Sequence, residues 1–390
     1  MIDKREIFDF SERLDLEARV VEKDYVLGWI LAGINAHSAL KDSWVFKGGT
    51  CLKKCYFETY RFSEDLDFTL GQRSHIDRDF LITTFTEIAA WVNEQSGIDV
   101  PVDSISFDIH PDPNKMYVEG RIGYAGPLGR NRGNISKIKL DLSANELLVL
   151  APVAQAVHHP YADCPPQKIR VRCYAYEEVF AEKIRALTQR LRPRDLYDVI
   201  HLYRNQAQIT HRQLVLSTLT QKCEFKGIAV PTFSSIDGHP HRDELELDWE
   251  RMLKHQLANL PDINSFWNEL PEFFSWLTQA QDKRQTTPLT GEEDGETLWQ
   301  PARSSKLADV HLPIERIRLA ASNRVCIKLT YNNQIRTVEP YSFRTDKAGA
   351  VSLYGFHREG DQIKRFRVDR FQDVSIADIP FKPRHAVEIW

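Results

Sequence analysis

The chain has 390 residues and a formal net charge of −4; 42% of its residues are hydrophobic and 27% are charged. A chain of this length exceeds one ordinary hydrophobic core, so we expect about two or three domains. The composition excludes a disordered chain. The slightly acidic balance excludes a protein that grips nucleic acid along its whole length, so any nucleic-acid contact must be local.

The cysteine pattern and the amino terminus indicate the cellular compartment. No two of the six cysteines stand in a CxxC pair, so neither a zinc site nor a disulfide framework is indicated, and we expect reduced thiols. The first residues lack the basic start and apolar run of a signal peptide, and no apolar stretch approaches the ~18 residues of a membrane span. We therefore expect a cytoplasmic protein without a membrane partner. The cysteines are Cys51, Cys55, Cys164, Cys173, Cys223 and Cys326.

The first part of the chain mixes helical and extended patterns. Apolar residues recur at three- and four-residue steps between residues 6 and 40, which predicts two helices. The apolar run at 44–46 predicts a strand that ends in a glycine turn at 47–50 and is followed by a helix. A second strand is predicted at 66–70, and a long helix at 78–95.

The middle of the chain changes from strands to helices. Apolar alternation predicts three strands, and helical periodicity then predicts a helix at 176–191 and another that begins near residue 195. Further amphipathic patterns between residues 210 and 279 predict an all-helical second part. The three strands are at 104–109, 116–124 and 136–142.

A polar, acidic stretch separates the last part of the chain from the rest. Residues 281–305 are too poor in apolar side chains to pack, which predicts a flexible linker. Beyond it we expect a short helix and a small β-rich domain with tight turns. The helix is predicted at 317–321, and the strands at 325–331, 335–339, 350–356 and 363–368.

Two aspartates, Asp65 and Asp67, stand one residue apart at the start of the second strand. Alternate strand residues point to the same side, so both carboxylates can face one metal site while Leu66 packs inward. Magnesium prefers a few carboxylates together with phosphates, and phosphoryl transfer needs metal ions that bridge triphosphate oxygens. A lone pair of this kind is more often a chance occurrence than a catalytic site.

The surroundings of this pair favour a site. Residues 47–50 (Lys-Gly-Gly-Thr) offer backbone N–H groups and a following helix N-terminus, a natural seat for phosphate. A glycine pair by itself is more often a plain turn. Asp141 lies near the end of the strand at 136–142, and antiparallel or adjacent pairing of the two strands would bring Asp65, Asp67 and Asp141 together.

The ordered combination of motifs resembles the AbiEii/AbiGii family of bacterial nucleotidyltransferase-like toxins, a branch of the DNA polymerase β-like superfamily. The resemblance covers about the first 280 residues and is weakest after Tyr203. It is carried by residues 22–25 (Glu-Lys-Asp-Tyr), 46–52 (Phe-Lys-Gly-Gly-Thr-Cys-Leu), 61–68 (Arg-Phe-Ser-Glu-Asp-Leu-Asp-Phe), 139–141 (Lys-Leu-Asp), 177–183 (Glu-Glu-Val-Phe-Ala-Glu-Lys) and 194–198 (Arg-Asp-Leu-Tyr-Asp).

The resemblance implies Mg²⁺ or Mn²⁺ as cofactor and a nucleoside triphosphate as substrate. It implies that Asp65, Asp67 and Asp141 bind the metal. The remaining implied roles are nucleotide binding by Lys47, Gly48, Gly49 and Thr50, a phosphate or metal contact by Ser63, triphosphate binding by Lys183, and the acid of the final motif for Asp198.

Some of these residues also have purely structural interpretations. Taken alone, Lys183 would be a solvated helix lysine. Asp195 and Asp198 could instead cap the helix that follows them, and we expect the cap for Asp195 and the functional role for Asp198. Lys23 and Asp24 are equally compatible with a surface pair and with a place in the nucleotide site.

The last part of the chain resembles the WYL domain, a small SH3-like β-barrel of bacterial regulators and defence proteins. The resemblance rests on residues 337–341, 352–356 and 365–371, although Ser-Leu-Tyr at 352–354 stands where Trp-Tyr-Leu is expected. A basic cluster that includes Arg365, Arg367 and Arg370 is interleaved with aromatic residues, and could contact phosphates and stack bases. The alternative is a barrel with its aromatic side chains inward and its arginines solvated.

Together these features predict an α+β fold. It consists of a nucleotidyltransferase domain (1–205) with a mixed sheet and flanking helices, a helical domain (206–280), a flexible linker (281–307) and a WYL-like β-barrel (308–390).

The predicted function is Mg²⁺-dependent transfer of a nucleotide from a triphosphate to an acceptor hydroxyl. The family implies RNA or tRNA as acceptor, toxin-like growth arrest or phage defence as role, and a cognate antitoxin protein as partner. Two alternatives stay open: nucleotidylation of a protein or small molecule, and a non-catalytic nucleotide- or nucleic-acid-sensing regulator. The intact set Ser63, Asp65, Asp67, Asp141 and Lys183 disfavours the regulator.

Overall fold

A computed structural model of the chain describes residues 1–58, 61–110, 116–129, 135–165, 169–205, 211–278, 296–301 and 312–389. Two sheets organise these residues, a seven-stranded mixed sheet in the amino-terminal part and a six-stranded antiparallel sheet in the carboxy-terminal part. Each sheet has its own hydrophobic core. The fold is therefore α+β, as predicted.

The mixed sheet has the strand order β3-β4-β5-β2-β1-β7-β6. β2 pairs in parallel with β5, and β1 in parallel with β7, whereas the other neighbours are antiparallel. The sequence patterns predicted β1 to β5 but neither β6 nor β7. The strands are β1 (Trp44–Lys47), β2 (Asp65–Leu70), β3 (Ile105–His110), β4 (Tyr117–Tyr124), β5 (Ser136–Ser143), β6 (Val153–Ala156) and β7 (Arg170–Cys173).

Capping residues mark the ends of helices in the amino-terminal part. Helix α4, for example, starts where the side chain of Asp77 accepts a hydrogen bond from the Phe80 N–H at 2.8 Å, and it ends at Gly97 with φ of +75°. These helices are α1 (Lys4–Leu14), α2 (Ala18–Ala36), α3 (Gly48–Cys51), which continues as a π-helical turn (Leu52–Tyr56), α4 (Arg78–Ser96), α5 (Tyr176–Arg190) and α6 (Pro193–Arg204).

The predicted all-helical second part is present, but it does not form a separate core. Its buried apolar side chains belong to the same continuous core as the mixed sheet. The predicted domain boundary at 205/206 therefore does not separate two hydrophobic cores. Across the described helices, none combines the length and apolarity needed to cross a membrane. The helices of this part are α7 (Arg212–Phe225), α8 (Phe233–Asp237), α9 (Arg242–Leu253), α10 (Asn264–Trp267) and α11 (Leu270–Thr278).

The carboxy-terminal sheet has the order β12-β11-β10-β9-β13, with β8 also paired to β10. Helix α12 packs on it. The sequence predicted β9 to β12, ended β10 too early at Glu339, and missed β13. The elements are β8 (Thr297–Leu298), α12 (Leu312–Asn323), β9 (Val325–Tyr331), β10 (Gln334–Thr345), β11 (Val351–His357), β12 (Gln362–Arg367) and β13 (Phe371–Pro380).

The predicted linker at 281–307 lies largely outside the described residues. Residues 296–301 are described, and they pack on the carboxy-terminal sheet. Thr297 and Leu298 pair with Thr345 and Arg344 of β10, and Glu296 is buried. These residues therefore belong to the carboxy-terminal sheet rather than to a linker.

The carboxy-terminal unit contacts the unit that holds the mixed sheet. Helix α12 lies against α6, and polar bonds join the two units on several sides. They are Arg318 Nη1 to Glu58 Oε2 at 3.0 Å, Tyr197 hydroxyl to Asn323 Oδ1 at 3.1 Å, and Asn259 Nδ2 to Asp378 Oδ1 at 2.7 Å.

Candidate active site

Three carboxylates share one face of the mixed sheet. β2 and β5 pair in parallel with Asp67 directly opposite Asp141. Asp65 lies two residues before Asp67, and alternate strand residues point to the same side. Leu66, between them, is fully buried. The register therefore brings together Asp65, Asp67 and Asp141, as the sequence-based geometry required.

Burial and repulsion by neighbouring carboxylates disfavour the charged forms of Asp65 and Asp67. Burial first, and then the negative charges of Asp141 and Asp65, raise the pKa of Asp67 to about 6. Lys47 and Lys183 oppose this shift without cancelling it. The pKa of Asp65 is also raised, mainly by burial and next by Asp141. A cation at this face would relieve the repulsion.

The glycine turn brings the backbone against Asp67. Gly48 follows β1 with φ of +81°, and a Cβ added there would lie 2.1 Å from Oδ2 of Asp67. Only glycine avoids both the left-handed strain and this clash. The hydroxyl of Thr50 donates to the carbonyl oxygen of Asp65 at 2.5 Å. Thr50, predicted to contact triphosphate, thus uses its hydroxyl proton to hold the turn against the carboxylate strand.

Lys47 lies opposite Asp67 in the β1–β2 pairing. Its Nζ forms an ion pair with Oε2 of Glu146 at 2.6 Å. Burial alone would lower the pKa of Lys47, but Glu146, Tyr174 and Glu182 together outweigh it and raise the pKa. Lys47 therefore remains a cation beside the carboxylates.

Ser63 and Gly49 pack together beside Arg61. A Cβ added to Gly49 would lie 3.0 Å from Oγ of Ser63 and 2.8 Å from Nη2 of Arg61. Gly49 is therefore required for the segment that leads into β2 to pass this close to the turn. Ser63 lies at the rim of the carboxylate face, two residues before Asp65.

Asp198 is a buried anion between two cations. Nε of Arg61 lies 2.7 Å from its Oδ1, and Nζ of Lys183 lies 2.7 Å from its Oδ2. Asp198 is 0% exposed, and although burial opposes them, Arg61 and Lys183 hold its pKa well below the ordinary value. Asp198 thus orients the Lys183 ammonium, whose charge also acts on Asp67.

Further cations surround Asp65. The positive charges of Lys23, Lys139 and Arg194 all act to lower its pKa, against the larger effect of burial. Lys139 Nζ lies 3.0 Å from Oδ1 of Asp141. Lys139 and Arg194 stand within motifs that the sequence singled out, yet no role was predicted for them, because local sequence does not show which carboxylate they face.

A family model for the AbiEii nucleotidyltransferase toxin of type IV toxin–antitoxin systems matches residues 29–279. This match spans more than half of the chain. The chain belongs to the AbiEii family of nucleotidyltransferase toxins. A model for the WYL domain matches residues 314–376, in the order that the sequence predicted.

Two other comparisons accompany the AbiEii match. Curated protein sequences give no match. Among solved structures, the nucleotidyltransferase toxin MenT4 from Mycobacterium tuberculosis is similar, with 16% identity and a TM-score of 0.44 over 73% of this chain and 91% of that chain. The AbiEii family identifies the protein as a nucleotidyltransferase.

Two acidic residues of the AbiEii motifs have structural roles that differ from the sequence interpretations. Asp24 is buried and pairs with Lys54 at 2.6 Å, so it forms no surface pair with its neighbour. Asp195 is also buried and pairs with Arg190 at 2.6 Å. Arg192, not Asp195, occupies the cap position of α6, so the cap interpretation is wrong.

The predicted basic cluster of the WYL domain is largely ion-paired. Nη1 of Arg365 lies 2.7 Å from Oε1 of Glu296, and Nη2 of Arg367 lies 2.6 Å from Oδ2 of Asp369. Arg370 is exposed. Paired arginines have part of their charge already neutralised, which weakens the case for a nucleic-acid contact here.

The aromatic side chains of that cluster do not form a stacking surface. Phe356 and Phe366 are buried in the carboxy-terminal unit. The hydroxyl of Tyr354 donates to Oε2 of Glu296 at 2.7 Å. Phe356 and Phe366 therefore point inward, as in the alternative interpretation, whereas Tyr354 and Phe371 are half-buried, and the nucleic-acid contact stays a prediction.

Proposed function

We propose that this AbiEii protein is a divalent-metal-dependent transferase that attaches a nucleotide from a nucleoside triphosphate to RNA, with tRNA as the acceptor class. The observation that carries the proposal is the β2–β5 register, which collects Asp65, Asp67 and Asp141 on one face. A sheet face with three carboxylates and a surrounding ring of cations suits a metal-bound, negatively charged substrate.

The three carboxylates fit a magnesium or manganese ion. Oxygen ligands are what these hard cations prefer, and a bound cation would stabilise the charged forms of Asp65 and Asp67, whose pKa values are raised by burial and by neighbouring carboxylates. One oxygen from each of the three carboxylates cannot be chosen so that all three lie within 4.8 Å of one another. When bound, the ion would neutralise charge on the triphosphate and on the attacking oxygen.

The cations of the site would bind the triphosphate itself. Lys183 is held in place by Asp198, and Lys47 by Glu146, so both ammonium groups are positioned before substrate arrives. Such prior positioning lowers the entropy cost of binding and favours in-line attack. In the reaction, an acceptor hydroxyl oxygen forms a bond to the α-phosphorus and releases its proton to the solvent. The bond from the α-phosphorus to the α–β bridging oxygen breaks, and pyrophosphate leaves with that oxygen.

The acceptor and the partner rest on the family. AbiEii proteins are described as toxins of type IV toxin–antitoxin systems. We accordingly propose RNA, and within it tRNA, as the acceptor, growth arrest or phage defence as the role, and an antitoxin protein as the partner that restrains the activity.

The decisive experiment incubates the purified chain with Mg²⁺, total RNA and each of four labelled nucleoside triphosphates. We expect label in RNA from at least one triphosphate. Asp65→Asn and Asp67→Asn should each reduce labelling by at least ~100-fold, because each removes a metal ligand. Asp108→Asn is the matched control, since Asp108 lies on β3 of the same sheet with its side chain 51% exposed.

The outcome also separates the alternatives. Label found in protein or in a small molecule would favour nucleotidylation of that acceptor. If none of the four triphosphates transfers label to any acceptor, a non-catalytic regulator would be favoured. Wild-type labelling by both site variants would show that the metal assignment is wrong.

A further inference from the structure

Three buried cysteine sulfurs meet directly behind the glycine turn. Cys51 ends α3, Cys55 lies in the π-helical turn, and Cys173 ends β7. Their sulfur atoms all lie within 4.8 Å of one another, and the three residues are 0%, 2% and 0% exposed. No other His, Cys, Asp or Glu group of the described residues brings three ligand atoms this close.

Two separate elements fix this geometry. The turn at Leu52–Tyr56 is π-helical, a rare form that is frequent at functional sites, and it keeps Cys51 and Cys55 on the same side. The third sulfur comes from β7, where Cys173 pairs with Phe46 of β1. The N–H of Tyr174, the next residue, donates to the Phe46 carbonyl oxygen at 2.9 Å. The arrangement is therefore built by the sheet and the turn together.

The sulfurs are already arranged as donors and acceptor. Hydrogen bonds from Cys51 and Cys55 lower the pKa of Cys173 to about 4. Burial, together with hydrogen bonds within the cluster, raises the pKa of Cys51. The three sulfurs are thus in mutual contact inside the core, all within 4.8 Å of one another. A shared metal ion would replace this contact with three sulfur–metal bonds.

We propose that Cys51, Cys55 and Cys173 bind one soft, thiophilic d¹⁰ metal cation, for which Cu⁺ is the best fit. Three sulfurs at about 2.3 Å from a central ion lie about 4 Å apart, so the cluster needs to contract by less than about 1 Å. Structural zinc almost always takes four ligands, whereas the described residues supply three thiols here. Soft thiolates select Cu⁺ among the common metals.

Binding exchanges protons for metal. Each thiol that becomes a thiolate ligand forms an S–Cu bond and releases its proton to the solvent, without any change of oxidation state. The bound ion would tie the π-helical turn to β7. Cys51 directly follows Thr50, whose hydroxyl holds the carbonyl of Asp65. Occupancy would therefore stiffen the support behind the carboxylate face.

The test titrates the fully reduced, full-length chain with Cu⁺ under anaerobic conditions, against a coloured Cu⁺ chelator. We expect one equivalent to be withdrawn from the chelator, and X-ray absorption to show three sulfur neighbours around copper. The control chain carries Cys164→Ser, Cys223→Ser and Cys326→Ser, which leaves the cluster intact, and should bind the same equivalent.

Removing one ligand should abolish this binding. We expect Cys173→Ser to lose more affinity than the ~10–100-fold that loss of an outer-shell partner costs. Cys55→Ala serves as the second ligand variant in case Cys173→Ser fails to fold. The proposal is overturned if the wild-type chain withdraws no copper, if copper has fewer than three sulfur neighbours, or if the control chain loses binding.

Discussion

Asp67 occupies a sheet position that is half-buried and that it shares with two other carboxylates. Its pKa of about 6 has burial as the main cause and Asp141 as the main repulsive neighbour. Below that pH the group is protonated and holds no positive ion. Above it, the group is ionised, and its negative charge can hold a cation. The site is therefore sensitive to pH when metal is absent and much less so when metal is bound.

This pKa predicts a pH-dependent metal affinity. Below about pH 6 a cation must displace the proton of Asp67, so Mn²⁺ affinity should fall by up to about tenfold per pH unit there and level off above it. Calorimetric titration of the nucleotide-free chain on both sides of pH 6 measures this. Asp67→Asn should bind weakly at every pH, and an affinity of the wild type that stays constant across this range would contradict the assignment.

The same raised pKa fixes the sign of a stability effect. The folded state holds the Asp67 proton more tightly than the unfolded state does, so the cost of ionising it is absent at low pH and appears as pH rises from about 4 to 6. In thermal unfolding without metal, Asp67→Asn should therefore be more stable than the wild type at neutral pH, and no more stable near pH 4. A variant less stable at neutral pH would reverse the sign and refute the argument.

Asp198 has a different energetic role. Asp198→Ala would leave the charges of Arg61 and Lys183 buried without their anion, so we expect a loss of about 3–5 kcal/mol in the free energy of unfolding, measured with urea. Asp195→Ala is the matched control. Its partner Arg190 has a side chain that is 49% exposed and can return to water, so the loss should be smaller. Equal stability of the two variants, with transfer lost only in Asp198→Ala, would assign Asp198 to the chemistry instead.

The spacing of Asp65 and Asp67 predicted their shared side because strand periodicity is local. The partners of Asp198 were not predictable, since Arg61 lies 137 residues away along the chain. The cysteine cluster was missed for the same reason. Spacing rules search for neighbouring cysteines, whereas Cys173 joins the other two only through the pairing of β1 with β7.

At the level of elements, the periodicity of apolar residues predicted nearly all of the amino-terminal helices and strands. It could not predict that β2 pairs in parallel with β5, because pairing is decided by contacts between distant segments. The end of β10 was misplaced since Pro340 argues against a continuous strand. In the structure the register shifts between Pro340 and Ser342, and such an irregularity tolerates a proline.

The turn between β1 and α3 supports a sharp test. Gly48→Ala adds left-handed strain and a clash with Asp67, so we expect a destabilisation of about 2–3 kcal/mol and a loss of nucleotide transfer of at least ~10-fold. Gly349→Ala is the matched control, because Gly349 has the same φ of +81° with nothing within 4 Å of an added Cβ. Gly349→Ala should lose only the stability that the left-handed strain costs, and it should keep full transfer activity. Equal effects of the two changes would remove Gly48 from the site.

At the scale of the whole molecule, two hydrophobic cores are joined by polar contacts. The ion pair of Arg318 with Glu58 is buried, with side chains 7% and 9% exposed. Glu58 lies shortly after the π-helical turn, and the contact of Tyr197 with Asn323 lies next to Asp198. The WYL unit therefore touches both segments that support the active site, and it is more than a tethered module.

These contacts predict that the two units associate even when the chain is divided. Fragments 1–278 and 296–390, purified separately, should bind each other in calorimetry. Arg318→Ala should weaken this association by at least ~10-fold, because it removes the guanidinium that forms the buried ion pair with Glu58 across the two units. Arg316→Ala on the same helix is the control, since its side chain is 42% exposed and pairs within its own unit. Fragments that fail to associate would show two independent modules.

The carboxylate of Glu296 has a consequence for ligand recognition by the WYL unit. It already occupies Arg365 and the hydroxyl of Tyr354. Any external anion that seeks Arg365 must compete with this internal one, which has the advantage of high effective concentration. Displacing it would also loosen the neighbouring residues Thr297 and Leu298 from β10. The two events are thermodynamically linked. Contacts that hold residues 296–301 on the sheet lower the affinity of Arg365 for an external anion, and binding of that anion favours release of these residues.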